Sequence, residues 1–201
     1  MSSLESEEVS AEEIRRAITE RGHWFMPWAI PEAVNRVIAG LGRTILVTDE
    51  NVAVLDFHTD HHRADLIAWH CIEQTDQGGE TVLLDGYKLL RLLAAEQLER
   101  LKRLQLFKDE FAEREVDRFP FLSERFAREK IYYSPWSAAE VEGEQREALQ
   151  EFTRLTERGE RVRYLLQPGD LLVIDNGRML HGSSATGRAG RRVFRRYWIE
   201  G

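Results

Sequence analysis

The feature that most constrains the fold is a series of short apolar segments, many rich in β-branched residues, that are separated by turn-forming residues such as Gly78-Gly79. Segments of this length and composition favour strands over helices. Many short strands with turns between them predict a mainly β fold, a sandwich or barrel-like roll with helices packed outside. The predicted strands are residues 44–47, 52–55, 66–73, 81–84, 130–133, 161–166, 170–174 and 192–199.

Helices are predicted before and between these strands. Ser10 and Glu13 have the spacing of a capping box, which predicts a helix that runs to about Arg21 and ends at Gly22. A second short helix should span residues 31–39 and end at Gly40. Apolar residues at helical spacing predict two more helices, over residues 87–106 and 143–158.

The 201 residues fit one domain. Residues 1–9 are predicted to be a disordered acidic tail, and residues 10–201 a single domain. Within that domain, residues 107–129 are charged with interspersed phenylalanines, which is typical of a lid or an insertion.

Charge and composition exclude several classes of protein. The net charge of −7 argues against a nucleic-acid binder, although the basic cluster from Arg188 to Arg196 could also be a phosphate-binding patch. The single cysteine, Cys71, allows no intrachain disulfide and is predicted to be a buried core thiol. No apolar run is as long as a membrane span, and the first residues lack a signal pattern. We therefore expect a cytoplasmic protein that binds no membrane; its oligomeric state is left open.

Three residues are candidate metal ligands. Side chains two apart on a strand point to the same face, so His58 and Asp60 should converge on one point. His181 follows a buried strand and a turn, and is the natural third ligand. Two imidazoles and one carboxylate on one face of an octahedron bind iron(II) and leave three positions open.

Other histidines offer alternatives to this ligand set. His61 and His62 are expected to face solvent or to lie outside the ligand set, and His70 is expected in the core. A zinc site built from His58, His62 and another histidine stays open, although no zinc-type Cys/His spacing supports it.

The strand over residues 192–199 places arginines on both of its faces. Arg192, Phe194, Arg196 and Trp198 share one face. A buried arginine needs an anionic partner, and a ligand carboxylate matches the guanidinium fork. The alternative is a solvated basic run.

Four collinear blocks resemble the taurine dioxygenase and clavaminate synthase-like group of Fe(II)/2-oxoglutarate-dependent oxygenases. The first block is Phe57-His58-Thr59-Asp60, and the second runs from Cys71-Ile72-Glu73-Gln74 through Gly78-Gly79-Glu80-Thr81 to Asp85-Gly86. The third and fourth blocks are residues 168–182 and 191–196. The resemblance spans roughly residues 44–199 and implies a double-stranded β-helix, a cupin-like jelly roll.

The resemblance also implies roles for individual residues. His58, Asp60 and His181 become the ligands of Fe(II), while Thr81 and Arg192, with Arg196 as a second candidate, hold 2-oxoglutarate. Candidate substrate contacts are Trp69, Tyr133 and Arg195.

The implied activity is that of a dioxygenase, an oxidoreductase that consumes O2 and 2-oxoglutarate. It would hydroxylate an unactivated C–H bond of a small molecule, best a small amino acid or other carboxylate, and form succinate and CO2. Asp60 argues against halogenation, whereas desaturation, cyclisation and epoxidation use the same ligands. Two rival hypotheses stay open: a non-catalytic jelly-roll protein that binds an anionic ligand, and a cosubstrate-independent cupin-type metal oxygenase.

Overall fold

The computed structural model describes residues 9–51, 55–75, 78–107, 118–125, 128–184 and 191–201. The helices are α1 (Ala11–Arg21), α2 (Pro31–Leu41), α3 (Gly86–Leu90), α4 (Ala95–Lys102) and α5 (Gly143–Arg158), with a 3-10 helix over Pro135–Glu140. The strands are β1 (His23–Met26), β2 (Arg43–Asn51), β3 (Leu66–Glu73), β4 (Thr81–Asp85), β5 (Gln105–Phe107), β6 (Arg118–Pro120), β7 (Leu122–Arg125), β8 (Arg128–Ile131), β9 (Arg161–Tyr164), β10 (Leu171–Asp175), β11 (Met179–Ser183) and β12 (Val193–Glu200).

Two antiparallel sheets organise the fold. The larger sheet has five strands in the order β1-β10-β3-β12-β2, and the smaller has three in the order β11-β4-β9. Ile67, Leu172 and Trp198 of the larger sheet pack in one buried cluster with Leu83 and Met179 of the smaller sheet. The two sheets therefore face each other across an apolar core, the arrangement of a β-sandwich or roll.

Helices cover the outer faces of both sheets. Because side chains alternate along a strand, Ala68 and Val173 point out of the larger sheet, where they join a cluster with Ile14 of α1 and Val37 of α2. On the smaller sheet Leu84 packs outward against the aromatic cluster that surrounds α5. These layers leave the space between the sheets for a site.

A segment before β3 extends the smaller sheet. His58 pairs with His181 of β11 as an isolated antiparallel bridge, and Ser183 N donates to the Leu55 carbonyl at 3.1 Å. The two backbones come so close that a Cβ at Gly182 would lie 2.7 Å from the Leu55 carbonyl oxygen. Only glycine fits there, and the contact brings residues 55–60 beside β11.

Most of the predicted elements are confirmed. Helix α1 has the capping box at Ser10 and ends at a left-handed Gly22. Helix α2 continues two residues beyond its predicted end. The strand prediction at residues 52–55 lies mostly outside the described residues, as does the predicted tail. Strands β1 and β11 were not predicted as strands.

The single helix predicted over residues 87–106 is wrong. The Asp85 side chain caps α3, which ends at Leu90, and the Ala94 amide then donates to Gln97 Oε1 to begin α4. Residues 105–107 form β5 instead, which pairs with β6. Leu89 and Leu90 of α3 and Leu101 of α4 all reach the same buried cluster.

The predicted lid or insertion is partly described. Strands β6 and β7 lie within it, and β7 pairs with β8. Residues 108–117 and 126–127 of this segment lie outside the described residues. Across the described part of the chain, no helix is both long enough and apolar enough to span a membrane.

The aromatic cluster around α5 should dominate the stability of that side of the molecule. Phe152 is fully buried and meets Phe121 at 5.0 Å and Tyr133 at 5.2 Å between ring centroids, both edge to face. We expect Phe152→Ala to lower the free energy of unfolding by about 3–5 kcal/mol in urea titrations. Leu92→Ala is the control, because Leu92 is 67% exposed, and its loss should change stability by less than about 0.5 kcal/mol. Equal effects of the two substitutions would contradict this assignment of the core.

Candidate metal centre

The two histidines of the site are brought together by their own backbones. His58 N donates to the His181 carbonyl at 3.0 Å, and His181 N donates back to the His58 carbonyl at 2.9 Å. Directly opposed residues of an antiparallel pair project their side chains to the same side. The imidazole centroids therefore lie only 4.4 Å apart.

Asp60 completes the cluster. Its Oδ1 lies 3.5 Å from His58 Nε2 and 3.4 Å from His181 Nε2. One ligand atom from each of these three residues lies within 4.8 Å of the others, and all three residues are buried. The structure thus brings together the three residues that the sequence singled out as candidate ligands.

The second carboxylate oxygen of Asp60 is held by the protein. Asp60 Oδ2 accepts hydrogen bonds from the indole Nε1 of Trp198 at 2.7 Å and from Arg196 Nη1 at 2.8 Å. Both hydrogen bonds to Oδ2 therefore come from residues of β12, and Oδ1 is the oxygen that points between the two imidazoles. This arrangement presents Asp60 as a monodentate ligand.

The backbone around Asp60 is fixed by a buried asparagine. Asn176 Oδ1 accepts from the Asp60 amide at 2.8 Å, and Asn176 Nδ2 donates to the Ala64 carbonyl at 2.9 Å. On the other side, Thr59 N donates to the Tyr133 carbonyl at 2.8 Å. These hydrogen bonds hold the backbone of residues 59–64 in place without a bound ligand.

The ring of His58 is oriented by a carbonyl. Its Nδ1 lies 2.7 Å from the Asp56 carbonyl oxygen, so Nδ1 carries the proton and the Nε2 lone pair faces Asp60 and His181. His181 packs edge to face against Trp69, at 4.9 Å between centroids. Both imidazoles thus present Nε2 to a common point.

The electrostatics favour the protonation states that bind a metal. Burial would raise the pKa of the Asp60 carboxyl, but its contacts with His181 and His58 and the charge of Arg196 hold that pKa well below its usual range. Burial, reinforced by His58, lowers the pKa of His181 to about 4. A metal ligand must be an ionised carboxylate or a neutral imidazole, and these two groups meet that requirement near neutral pH.

The donor set fits a ferrous ion. Two neutral imidazole nitrogens and one carboxylate oxygen, grouped on one side of a cavity, are the ligands of non-haem Fe(II) sites with open positions. Zinc sites of the Cys/His type need other ligands. His62, the zinc alternative, stacks its ring on Phe119 at 3.8 Å between centroids, and His61 stacks on Trp198 at 5.4 Å. Neither residue belongs to the cluster of ligand atoms.

A buried arginine lies beside the metal ligands. Arg192 is 2% exposed, donates from Nη2 to Thr81 Oγ1 at 2.5 Å, and places its guanidinium 4.3 Å from the Phe194 ring centroid. Burial lowers the pKa of Arg192 to about 10, which means that its surroundings disfavour the charge. An anionic ligand would remove that penalty. Arg192, Thr81, His58 and His181 line one narrow cavity.

The three candidate substrate residues fall in different places. Trp69 lines the cavity beside His181. Arg195 lies on the opposite face of β12, where its exposed side chain pairs with Asp49 at 2.7 Å. Tyr133 is buried in the aromatic cluster and its hydroxyl lies 3.0 Å from Thr153 Oγ1. The structure therefore does not bring Arg195 or Tyr133 into the cavity: strand alternation turns one outward, and core packing holds the other.

The sequence analysis did not identify several residues of the site. Trp198 shares the face of Arg192 and Arg196, so strand alternation could have identified it. Glu50, which lines the cavity from β2, lies across from Phe194 in the sheet register, and Asn176 lies in a turn. No pattern in the sequence marks either residue, because each acts through a partner that is distant along the chain.

The chain is similar in sequence to known dioxygenases. The family model described as "Taurine catabolism dioxygenase TauD, TfdA family" matches residues 39–198. Gamma-butyrobetaine dioxygenase from Homo sapiens is 28% identical over 155 residues, which are 64% of this chain and 39% of the relative. The same enzyme from Pongo abelii gives the same values. The chain thus spans well under half the length of these relatives.

Solved structures show the same fold. An asparagine oxygenase in complex with Fe(II), 3-hydroxyasparagine and succinate superposes with a TM-score of 0.74 at 18% identity, over 94% of this chain and 77% of that chain. A putative alpha-ketoglutarate-dependent taurine dioxygenase from Burkholderia xenovorans gives 0.74 at 16% identity, over 100% and 86%. The non-haem iron oxygenase OrfP in complex with Fe and L-Arg gives 0.70 at 18% identity, over 94% and 78%. The predicted jelly roll with flanking helices is confirmed.

Trp198 should set how tightly the site binds a metal. Removing the indole N–H in Trp198→Phe leaves Arg196 as the remaining donor to Asp60 Oδ2, and we expect the affinity for Fe(II) or Mn(II) to fall by about 10–100-fold. Anaerobic isothermal titration calorimetry measures the change. Tyr197→Phe is the control, because Tyr197 points to the opposite face of β12 and packs with α2. An unchanged metal affinity in Trp198→Phe would show that the indole does not position Asp60.

Proposed function

The chain belongs to the taurine catabolism dioxygenase (TauD, TfdA) family, and we propose that it is an Fe(II)- and 2-oxoglutarate-dependent oxygenase. It would hydroxylate an unactivated C–H bond of a small amino acid or other carboxylate and form succinate and CO2. The observation that carries the proposal is one cavity lined by two buried histidines of the triad and by the Arg192–Thr81 pair.

The triad would hold the ferrous ion. His58, Asp60 and His181 would supply three ligands from one side of the ion and would leave its other positions to the cosubstrate and O2. When bound, the iron with its cosubstrate supplies the oxidising chemistry. The protein supplies the position, since the Asn176 amide and the Asp56 carbonyl fix the ligands before any metal arrives.

Arg192 and Thr81 would hold the distal carboxylate of 2-oxoglutarate. The planar guanidinium can donate two parallel hydrogen bonds to a carboxylate, and the Thr81 hydroxyl sits 2.5 Å from its Nη2. Both side chains are buried, so the ion pair between Arg192 and the carboxylate would form away from water. Its electrostatic attraction is stronger there than at the surface. Arg196, whose Nη1 binds Asp60, would act mainly on the metal ligand and on the substrate side of the cavity.

Apolar groups would keep water from the reacting centre. Trp69 and Phe194 line the cavity next to the polar residues, and both are buried. A site that excludes water protects a reactive oxidant from side reactions. Of the three candidate substrate residues, Trp69 lies nearest to the proposed metal ligands, because it packs against the ring of His181.

The names of the relatives support a small substrate. The similar proteins include an asparagine oxygenase, an oxygenase that binds L-Arg and a gamma-butyrobetaine dioxygenase. These compounds are amino acids or betaines with a carboxylate. They support the proposal of a small amino acid or other carboxylate for this chain.

The proposed activity is tested by 2-oxoglutarate turnover. Purified protein with Fe(II), ascorbate, O2 and 2-oxoglutarate should form succinate, slowly without substrate and faster with a substrate from the amino-acid class. Asp60→Ala removes a ligand, and we expect succinate formation to fall at least about a hundredfold. Asp49→Ala removes an exposed carboxylate on the outer face and should keep full activity. Full activity in a folded Asp60→Ala variant would refute the ligand assignment.

A second test concerns Arg192 and its proposed binding of 2-oxoglutarate. Lysine cannot make the two parallel hydrogen bonds of Arg192, so Arg192→Lys should raise the KM for 2-oxoglutarate by about 10–100-fold. Steady-state succinate assays measure the KM. Arg195→Lys changes the neighbouring arginine on the outer face and should leave KM within twofold (about 0.4 kcal/mol). A cosubstrate-independent enzyme, or a non-catalytic binding protein, would show no such KM effect.

A further inference from the structure

Arg196 lies between two carboxylates of the protein itself. Its Nη1 is 2.8 Å from Asp60 Oδ2, and its Nη2 is 2.5 Å from Glu50 Oε1. The guanidinium also stacks over Trp198, 5.0 Å from the ring centroid. The arginine next to the metal ligands therefore already has two anionic partners before any substrate enters.

Glu50 reaches this position from the edge strand of the larger sheet. It lies across from Phe194 in the register between β2 and β12, and it lines the cavity with His58 and Arg192. Its Oε1 also accepts a hydrogen bond from Thr48 Oγ1 at 2.7 Å. Both contacts use Oε1, so Oε2 is the carboxylate oxygen that remains for a donor in the cavity.

The net charge of the cavity and its surroundings would be zero with Fe(II) and 2-oxoglutarate bound. Among the described residues, Arg192 and Arg196 are the cations that line it and Glu50 is the anion; the second anion is Asp60, which pairs with Arg196 beside the cavity. Burial raises the pKa of the neighbouring Cys71 thiol to about 12, so that group is neutral. Ferrous iron and 2-oxoglutarate carry opposite charges of equal size. With Glu50 present, no positive charge is left over to attract an anionic substrate.

We propose that Glu50 is a specificity-determining residue that selects zwitterionic substrates over simple anions. This inference rests on the proposed function. The ammonium group of an amino acid or betaine-type compound would face Glu50 Oε2, and its carboxylate would face the Arg196 guanidinium. A plain carboxylate or sulfonate would gain little from Arg196, because Asp60 and Glu50 already neutralise its charge. The negative charge of Glu50 would also repel such an anion. The substrate class thus narrows from small carboxylates to zwitterions.

The test compares ethanesulfonate, a simple anion, with its 2-amino derivative, the corresponding zwitterion. Wild-type protein loaded anaerobically with Fe(II) and 2-oxoglutarate is titrated with each compound by calorimetry. We expect Glu50→Gln, which keeps the shape and removes the charge, to bind ethanesulfonate at least about tenfold tighter than the wild type. The preference for the zwitterion should shrink by a similar factor.

Matched controls isolate the position of the charge. Asp49→Asn removes the neighbouring carboxylate of β2, which pairs with Arg195 on the outer face, and should leave both affinities unchanged. Glu50→Gln combined with Arg196→Gln should lose the gain in ethanesulfonate binding.

The outcomes separate the inference from the proposed function. A change of less than twofold in ethanesulfonate affinity, including the case in which neither protein binds it, overturns the role of Glu50 if 2-oxoglutarate still binds to the same samples. Failure of the wild type to bind 2-oxoglutarate with iron present would instead contradict the proposed function.

Discussion

The buried carboxylate of Asp60 is the group on which the rest of the site depends. An ionised carboxylate away from water is costly unless it is paired and hydrogen-bonded. Here one oxygen faces two imidazoles, while the other accepts from Trp198 and Arg196 of β12. The two sheets bring β12, β11 and residues 55–60 together around this one side chain.

The same constraint links the metal site to the cosubstrate and substrate sites. Arg196 and Trp198 lie two residues apart on the inner face of β12, and Arg192, which immediately precedes the strand, faces the same cavity as Arg196. Arg196 contacts the metal ligand and Glu50, whereas Arg192 contacts Thr81 of β4. In the proposed function, this part of the chain would therefore set the distance between the iron, the distal carboxylate of 2-oxoglutarate and the substrate. On the outer face of the strand, Arg195 pairs with Asp49.

Local signals in the sequence predicted much of this. The capping box at Ser10, the alternation of β12 and the turn residues were sufficient for α1 and for most of the strands of both sheets. Prediction failed where tertiary contacts decide. Residues 87–106 form α3, α4 and part of β5 rather than one helix, and β5 is a strand because it pairs with β6. Glu50 and Asn176 gain their roles from partners more than a hundred residues away, which no local pattern records.

The central claim is that one cavity binds iron through His58, Asp60 and His181 and binds 2-oxoglutarate through Arg192. Anaerobic absorption spectroscopy tests it most directly. Adding 2-oxoglutarate to the Fe(II)-loaded protein should produce a weak visible charge-transfer band that saturates at one equivalent. Arg192→Gln should need a much higher 2-oxoglutarate concentration to reach the same band. A protein that binds iron through the triad but shows no band at saturating 2-oxoglutarate would contradict the account.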